Sequence, residues 1–359
     1  MKEKIQAISK LFGINGEFVT YEQITSGHIN TTYKVTFYKN SELVEYVLQS
    51  VNTYVFKNPV EVMENIDLVT DYVSDKAKRG AYLKYLKALD GNLYTYYEDG
   101  SFWRCSEYIN NSVTYLNLDS YSVIESAGEA FGGFQLLLDG FPVEKLNIVI
   151  PHFHNTENRY KIFKEAIKLN KSGRAESVAD EIKSFLDFED VATAMYRMQK
   201  AGELPLRVTH NDTKCSNVLF DKETAKSICV IDLDTVMPGL MAFDFGDSIR
   251  IVGSTGAEDE RNLDNVRLDM GKYEAFTKGF VSKVKDTLTE NEKRTLAYGA
   301  LTMTVECGMR FLTDYIDGDK YFRVEYPEHN LVRARTHIKL ATDMLAKMDE
   351  MKAIVDKYL

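Results

Sequence analysis

Apolar Ile5, Ile8, Leu11 and Phe12 recur at helical spacing between residues 3 and 12, so the chain opens with a short helix. The period then drops to two. Runs at 17–24, 31–38 and 43–49 read as strands, the last two joined as a hairpin by the turn at 38–41. Pro59 starts a helix over 60–78 with Val62, Ile66, Val69 and Val73 as its core stripe. A second hairpin, 92–98 and 102–108, turns at Asp99-Gly100. Beyond residue 110 the period lengthens to that of helices. A capping box, Ser122-x-x-Glu125, precedes the stripe Ile124, Ala127, Phe131, Phe134 and Leu138. Further helices are expected over 157–171, 176–201, 264–285, 289–316 (after a second box, Thr289-x-x-Glu292) and 330–357. The pattern predicts an α+β protein with a β-rich part, 1–110, followed by a larger and mainly helical part, 111–359.

Composition narrows the partners. The chain has 359 residues, 44% of them hydrophobic, and a formal net charge of −10 with no basic stretch, which argues against a nucleic-acid partner. Cys105, Cys215, Cys229 and Cys307 lie far apart with no C-x-x-C, as expected of thiols in a reducing compartment. The N-terminal residues begin a polar helix rather than a signal peptide, and no apolar run approaches the ~18 residues a membrane span needs. A cytoplasmic protein without a membrane partner is expected, with a monomer the simplest assembly. His152 and His154 have no third ligand nearby and read as loop or packing histidines.

The most informative stretch is VTHNDTKCSNVLF at 208–220, followed by CVIDLD at 229–234. The ordered set H-x-D-x-x-x-x-N, strand, turn, strand, D gathers Asp212, Asn217 and Asp232 around one small space. Such a trio suits phosphoryl transfer, which needs positioning and charge neutralisation more than covalent chemistry. Asp212 would orient and deprotonate an attacking hydroxyl. Asn217 and Asp232, with Asp234 as a further carboxylate, would hold Mg²⁺ against the phosphates of ATP. Asp244, although part of an Asp-Phe-Gly tripeptide, follows a Pro-Gly turn and opens a helical pattern, so it reads as a structural residue. His210, two residues before Asp212, orients the loop or touches substrate.

These residues resemble the kinase-like fold of aminoglycoside phosphotransferases and choline kinases. The match is closer to N-acetylhexosamine 1-kinases, through GHINTTY (27–33), LRVTHNDTK (206–214), IDLDT (231–235), FDFGDSIR (243–250), ECGMRFL (306–312) and YPEHNLVR (326–333). The resemblance implies a two-lobed kinase acting on ATP and an N-acetylated sugar. Gly27 would lie in the phosphate-covering loop, and the backbone of Glu107, Tyr108 and Ile109 would bind the adenine edge. Gln49 stands where protein kinases carry their ATP-binding lysine. His28, Asn30, His210, Arg310 and Tyr321 would meet the sugar, and Arg250 would bring positive charge near the phosphates. The rivals are a kinase of the same fold acting on homoserine, choline or another sugar, and a catalytically dead nucleotide-binding module, for which Gln49 is the only support.

Overall fold

The computed structural model describes residues 1–25, 29–78, 80–116 and 118–359. The N-terminal lobe contains α1 (Lys2–Leu11), β1 (Glu17–Ile24), β2 (Thr31–Lys39), β3 (Glu42–Val51), α2 (Pro59–Ser74), β4 (Tyr94–Tyr96) and β5 (Phe102–Glu107). The strands form one antiparallel sheet in the order β1-β2-β3-β5-β4. Asn40 and Ser41, with φ of 51° and 67°, supply the two left-handed residues that a tight β2–β3 hairpin needs. Ile5 and Ile8 of α1 pack with Val35, Phe37, Leu48 and Trp103 of the sheet. β3 pairs with β5 in a register that sets Gln49 opposite Arg104.

The larger lobe follows with β6 (Ser112–Val113), α3 (Tyr121–Leu137), α4 (Thr156–Leu169), α5 (Ala179–Asp187), α6 (Glu189–Lys200), β7 (Arg207–Thr209), β8 (Val218–Asp221), β9 (Ser227–Val230) and β10 (Met237–Gly239). It is completed by α7 (Met241–Val252), α8 (Met270–Val284), α9 (Glu290–Asp317), α10 (His329–Ala346) and α11 (Met348–Tyr358). The fold is therefore the two-lobed kinase-like one. Helix α9 is its axis, with α7, α10 and α4 packed on it. Contact with α7 is at backbone distance: a Cβ at Gly246 would lie 2.2 Å from the Gly299 oxygen, and one at Gly299 1.9 Å from the Ala242 oxygen. Among the described residues no helix is long and apolar enough to cross a membrane.

Several element boundaries differ from expectation. The helix predicted over 176–201 breaks at Phe188, because α5 packs on α10 while α6 packs on α4 and α9. The last helix breaks at Lys347. Helix α3 starts at Tyr121, so Ser122 is already inside it and no capping box forms; Glu125 instead pairs with Lys278 at 2.7 Å. The box at Thr289 and Glu292 does form.

Buried His337 of α10 bonds the Arg333 carbonyl through Nδ1, and burial pushes its pKa down to about 4. The unfolded chain binds this proton near pH 6.5, so stability falls as pH drops from 6.5 towards 4, by on the order of 3 kcal/mol for this group. Urea denaturation between pH 7 and 4 should show a shallower loss in His337→Gln than in the unsubstituted protein.

Candidate active site

The loop from 210 to 217 joins β7 to β8 and is held from beneath by α7. Asp244 of α7 is 1% exposed. It accepts the backbone N–H groups of His210 and Asn211, both at 2.8 Å, and the Gln135 amide at 2.6 Å. Asp247, one turn on, accepts the Thr213 N–H at 3.1 Å and pairs with Arg250 at 2.9 Å. Burial works to raise the Asp247 carboxyl, but the Arg250 guanidinium holds it below the usual range. Arg250 is thereby committed to Asp247 and Glu258, so its expected role near the phosphates is corrected to bracing this loop.

These anchors hold a strained backbone. Asn211 and Asp232 both have φ of 64°, a left-handed conformation that costs about 1–2 kcal/mol for a residue other than glycine. The Ile231 N–H donates to the Asn217 oxygen at 2.8 Å, which brings Asp232 beside Asn217. Asn217 donates its amide nitrogen to the Asp212 backbone oxygen at 2.9 Å and its carboxylate at 3.2 Å, leaving the amide oxygen as a ligand. Asp212 and Asp234 are close enough to Asp232 to add to the effect of its burial, which together push it up to about 6. A buried carboxylate raised by like-charged neighbours, beside a free amide oxygen, has the donor set and charge deficit that Mg²⁺ satisfies.

The two cations nearest this cluster were not expected from sequence. Lys214 donates to Asp212 at 2.9 Å; burial opposes its charge, but Asp212 raises it overall. Arg104, 1% exposed on β5, donates Nε to Gln49 at 2.9 Å and forms a buried ion pair with Asp234. Its Nη2 has no partner among the described residues. An arginine set between apolar Trp103 and Cys105 was the available signal, and only the β3–β5 register shows that it faces the Gln49 position.

Other expected site residues are placed differently from the sequence reading. Asp234, expected as a metal carboxylate, has both oxygens engaged: one by Arg104, the other by the Asn30 amide at 2.7 Å. Asn30, expected at the sugar, therefore ties its loop to Asp234 and, through its oxygen, to the Asn52 N–H. Gln49, expected at the phosphates, bonds Thr32 and Arg104. His210 is fully buried, with Nε2 on the Ile231 oxygen at 2.9 Å and Nδ1 accepting the Asp212 N–H at 3.3 Å, so no ring nitrogen is left for substrate. Gly27 and His28 lie outside the described residues.

At the lobe junction, the Tyr108 N–H bonds the Glu45 oxygen, whereas the Ile109 N–H has no partner among the described residues. A cavity of about 260 Å³ is lined by Glu107, Tyr108 and Ile109 together with Tyr82, Lys84 and Asn110, and Asp212, Asn217 and Asp232 do not line it. Arg310 of α9 lies 6.0 Å from the ring of exposed Tyr321 and 5.5 Å from that of Phe322. Asp314 holds this loop by accepting the N–H groups of Lys320, Tyr321 and Phe322 at 2.8–2.9 Å. One turn before Arg310, buried Glu306 bonds His154 at 2.9 Å and lies 3.9 Å from Arg159. Burial works to raise Glu306, yet His154, Arg159 and Arg310 hold it below the usual range.

The sequence profile of the phosphotransferase enzyme family matches residues 20–276. The chain belongs to that family. A kinase-like protein of Caenorhabditis elegans is 30% identical over 131 residues, a match spanning 36% of this chain and 32% of that protein. An aminoglycoside phosphotransferase of Alicyclobacillus acidocaldarius superposes with a TM-score of 0.64 at 12% identity, over 98% of this phosphotransferase and 96% of that chain. A choline kinase of Cryptosporidium parvum superposes with a TM-score of 0.61 at 14% identity, over 100% and 99%. At such identities the structural likeness establishes the fold alone.

The Arg104–Asp234 pair joins the sheet of one lobe to the loop after β9 in the other. Arg104→Met would leave a buried carboxylate unpaired and is expected to destabilise the protein by about 3–5 kcal/mol. Adding Asp234→Asn should recover part of that loss. Urea unfolding of the two singles and the double measures the coupling; additive losses would mean the pair contributes nothing.

Proposed function

We propose that this phosphotransferase transfers the γ-phosphoryl group of Mg–ATP to the anomeric hydroxyl of an N-acetylhexosamine, giving the sugar 1-phosphate and ADP. The observation that carries this reading is the charge around Glu306, which bonds His154 and through it reaches the Asn211 carbonyl just before Asp212. Arg159 and Arg310 both act on Glu306. The fold relatives named above are an aminoglycoside phosphotransferase and a choline kinase, and acceptors of those kinds are cations. Here such a cation would meet two guanidinium groups. A neutral sugar bearing hydroxyls and an N-acetyl oxygen instead offers them acceptors, and hydrogen-bonding sites of this sort discriminate strongly. The segments resembling N-acetylhexosamine 1-kinases support the same choice.

In this reading Asp212 accepts the hydroxyl proton as the oxygen attacks phosphorus. An anomeric hydroxyl is more acidic than an ordinary alcohol, so an unmodified carboxylate suffices as base. Asn217 and Asp232 hold Mg²⁺, which when bound neutralises phosphate charge. Lys214 is placed to take over from Asp212 the charge of the transferring phosphoryl group. The Ile109 N–H and its neighbours at Glu107 and Tyr108 receive the adenine edge, and Arg310 and Tyr321 bind the sugar.

Incubation with Mg–ATP and GlcNAc or GalNAc, followed by ³¹P NMR, should give a sugar 1-phosphate signal. ADP formed only with choline, homoserine or another sugar would refute the acceptor while keeping a kinase, and no turnover with any of them would favour a dead nucleotide-binding module. Asp212→Asn should lower kcat by roughly 10²–10⁴ while ATP binding is retained. A near-native rate in that variant would remove Asp212 from the role of base.

A further inference from the structure

Both ring nitrogens of His154 face acceptors. Nδ1 lies 2.9 Å from a carboxylate oxygen of Glu306, and Nε2 lies 3.2 Å from the backbone oxygen of Asn211. A neutral imidazole has one N–H and would set its other nitrogen, lone pair against lone pair, toward an oxygen. Only the imidazolium donates to both. The environment agrees with the geometry. Burial alone would lower the His154 pKa, but Glu306 beside it raises it overall, with Asp247 adding to the effect. The charged groups around the pair are Glu306 and Arg310 from α9, Asp247 from α7 and Arg159 from α4.

The Asn211 oxygen belongs to the peptide unit immediately before Asp212. The N–H of that unit donates to Nδ1 of His210 at 3.3 Å. Two histidines thus hold the peptide at its two ends, one accepting and one donating. The residue they hold, Asn211, is left-handed and persists only where its surroundings over-determine it. Its N–H is fixed by Asp244, and its side chain donates to the oxygens of Thr209 and Thr235 at 3.2 and 3.0 Å. Its carbonyl has His154.

We propose that His154, kept protonated by Glu306, is a positioning residue for Asp212: it clamps the carbonyl before the base and links the acceptor-side helix to the catalytic loop. The proposal rests on the assignment of Asp212 as base and adds a pH-sensitive hold on it. When the imidazolium loses a proton, the remaining N–H stays with the buried carboxylate, which is the stronger acceptor. The Asn211 carbonyl then faces a lone pair and the peptide is released. Turnover falls on the alkaline side while nucleotide binding is little changed.

The test uses the full chain labelled with ¹⁵N-histidine, with His154 assigned by comparison with His154→Gln. Long-range ¹H–¹⁵N spectra should show a charged His154 at pH 7, with its titration moved at least one pH unit lower in Glu306→Gln. Two further readouts follow that shift. The alkaline limb of kcat moves with it while KM for ATP is unchanged, and the amide of Asp212 loses exchange protection above the same pH. His154→Gln should be slower and lack the limb, and it carries the test if Glu306→Gln fails to fold. A neutral His154 at pH 7, or a kcat limb that stays in place while the NMR titration moves, overturns the proposal. Retained activity in Asp212→Asn would instead refute the base assignment and leave the histidine titration as it is, so the two failures are distinguishable.

Discussion

One buried carboxylate, Asp244, sets the position of the loop that carries Asp212. Asp244 sits on α7, which rests on α9 at backbone contact, and it receives the two consecutive N–H groups that open the catalytic loop. A buried acceptor that lost either donor would carry a desolvation penalty of about 1–3 kcal/mol. The loop is thus registered against the helix rather than against its own neighbours. Everything beyond it inherits that register: the left-handed turn at Asn211, Asp212 with its ion pair to Lys214, and Asn217 beside Asp232.

Most carboxylates of the site are paired with a cation; buried Asp244 is held instead by three neutral donors, and Asp232 has neither a dedicated cation nor such a set among the described residues. Asp212 has Lys214, Asp234 has Arg104, Asp247 has Arg250 and Glu306 has His154. Asp232 is the member whose burial and anionic neighbours outweigh its cations, and its pKa rises accordingly. An arrangement that leaves one carboxylate short of positive charge is poised for a divalent ion. The Arg104–Asp234 pair also spans the lobes, so the sheet that would cover the nucleotide is tied to the loop that would hold the metal.

The periodicity of the sequence carried the architecture well: β1, β2, β3 and β5 lie where period two places strands, and α1, α2, α4, α8 and α9 where period 3.6 places helices. Asp212, Asn217 and Asp232 were legible for a similar reason: a loop, a tight hairpin and its end are local, and local spacing determines which side chains converge. Long-range partners were not legible. Gln49 and Arg104 are 55 positions apart and meet through a strand register, and His154 and Glu306 are 152 apart and meet through helix packing. The same blindness explains Asp234, Asn30 and His210. Each carries a chemically suitable group that the fold engages elsewhere: Asp234 with Arg104 and Asn30, and His210 with the Ile231 oxygen. Breaks at Phe188 and Lys347 are likewise tertiary, since the halves share α9 but α5 also packs on α10, α6 on α4 and α11 on α8.

The loop bearing Tyr321 is held by Asp314 through three of its own amides and by Arg174 and Asn330 through Asp319, none of which bonds Asp212. Amide donors are the same whatever side chain follows them. The exposed side chains at Lys320 and Tyr321 can therefore be rewritten by mutation while the loop keeps its shape and Asp212 keeps its place. If that face meets the acceptor as proposed, a lineage built this way could drift from one acceptor to another without passing through an inactive ancestor.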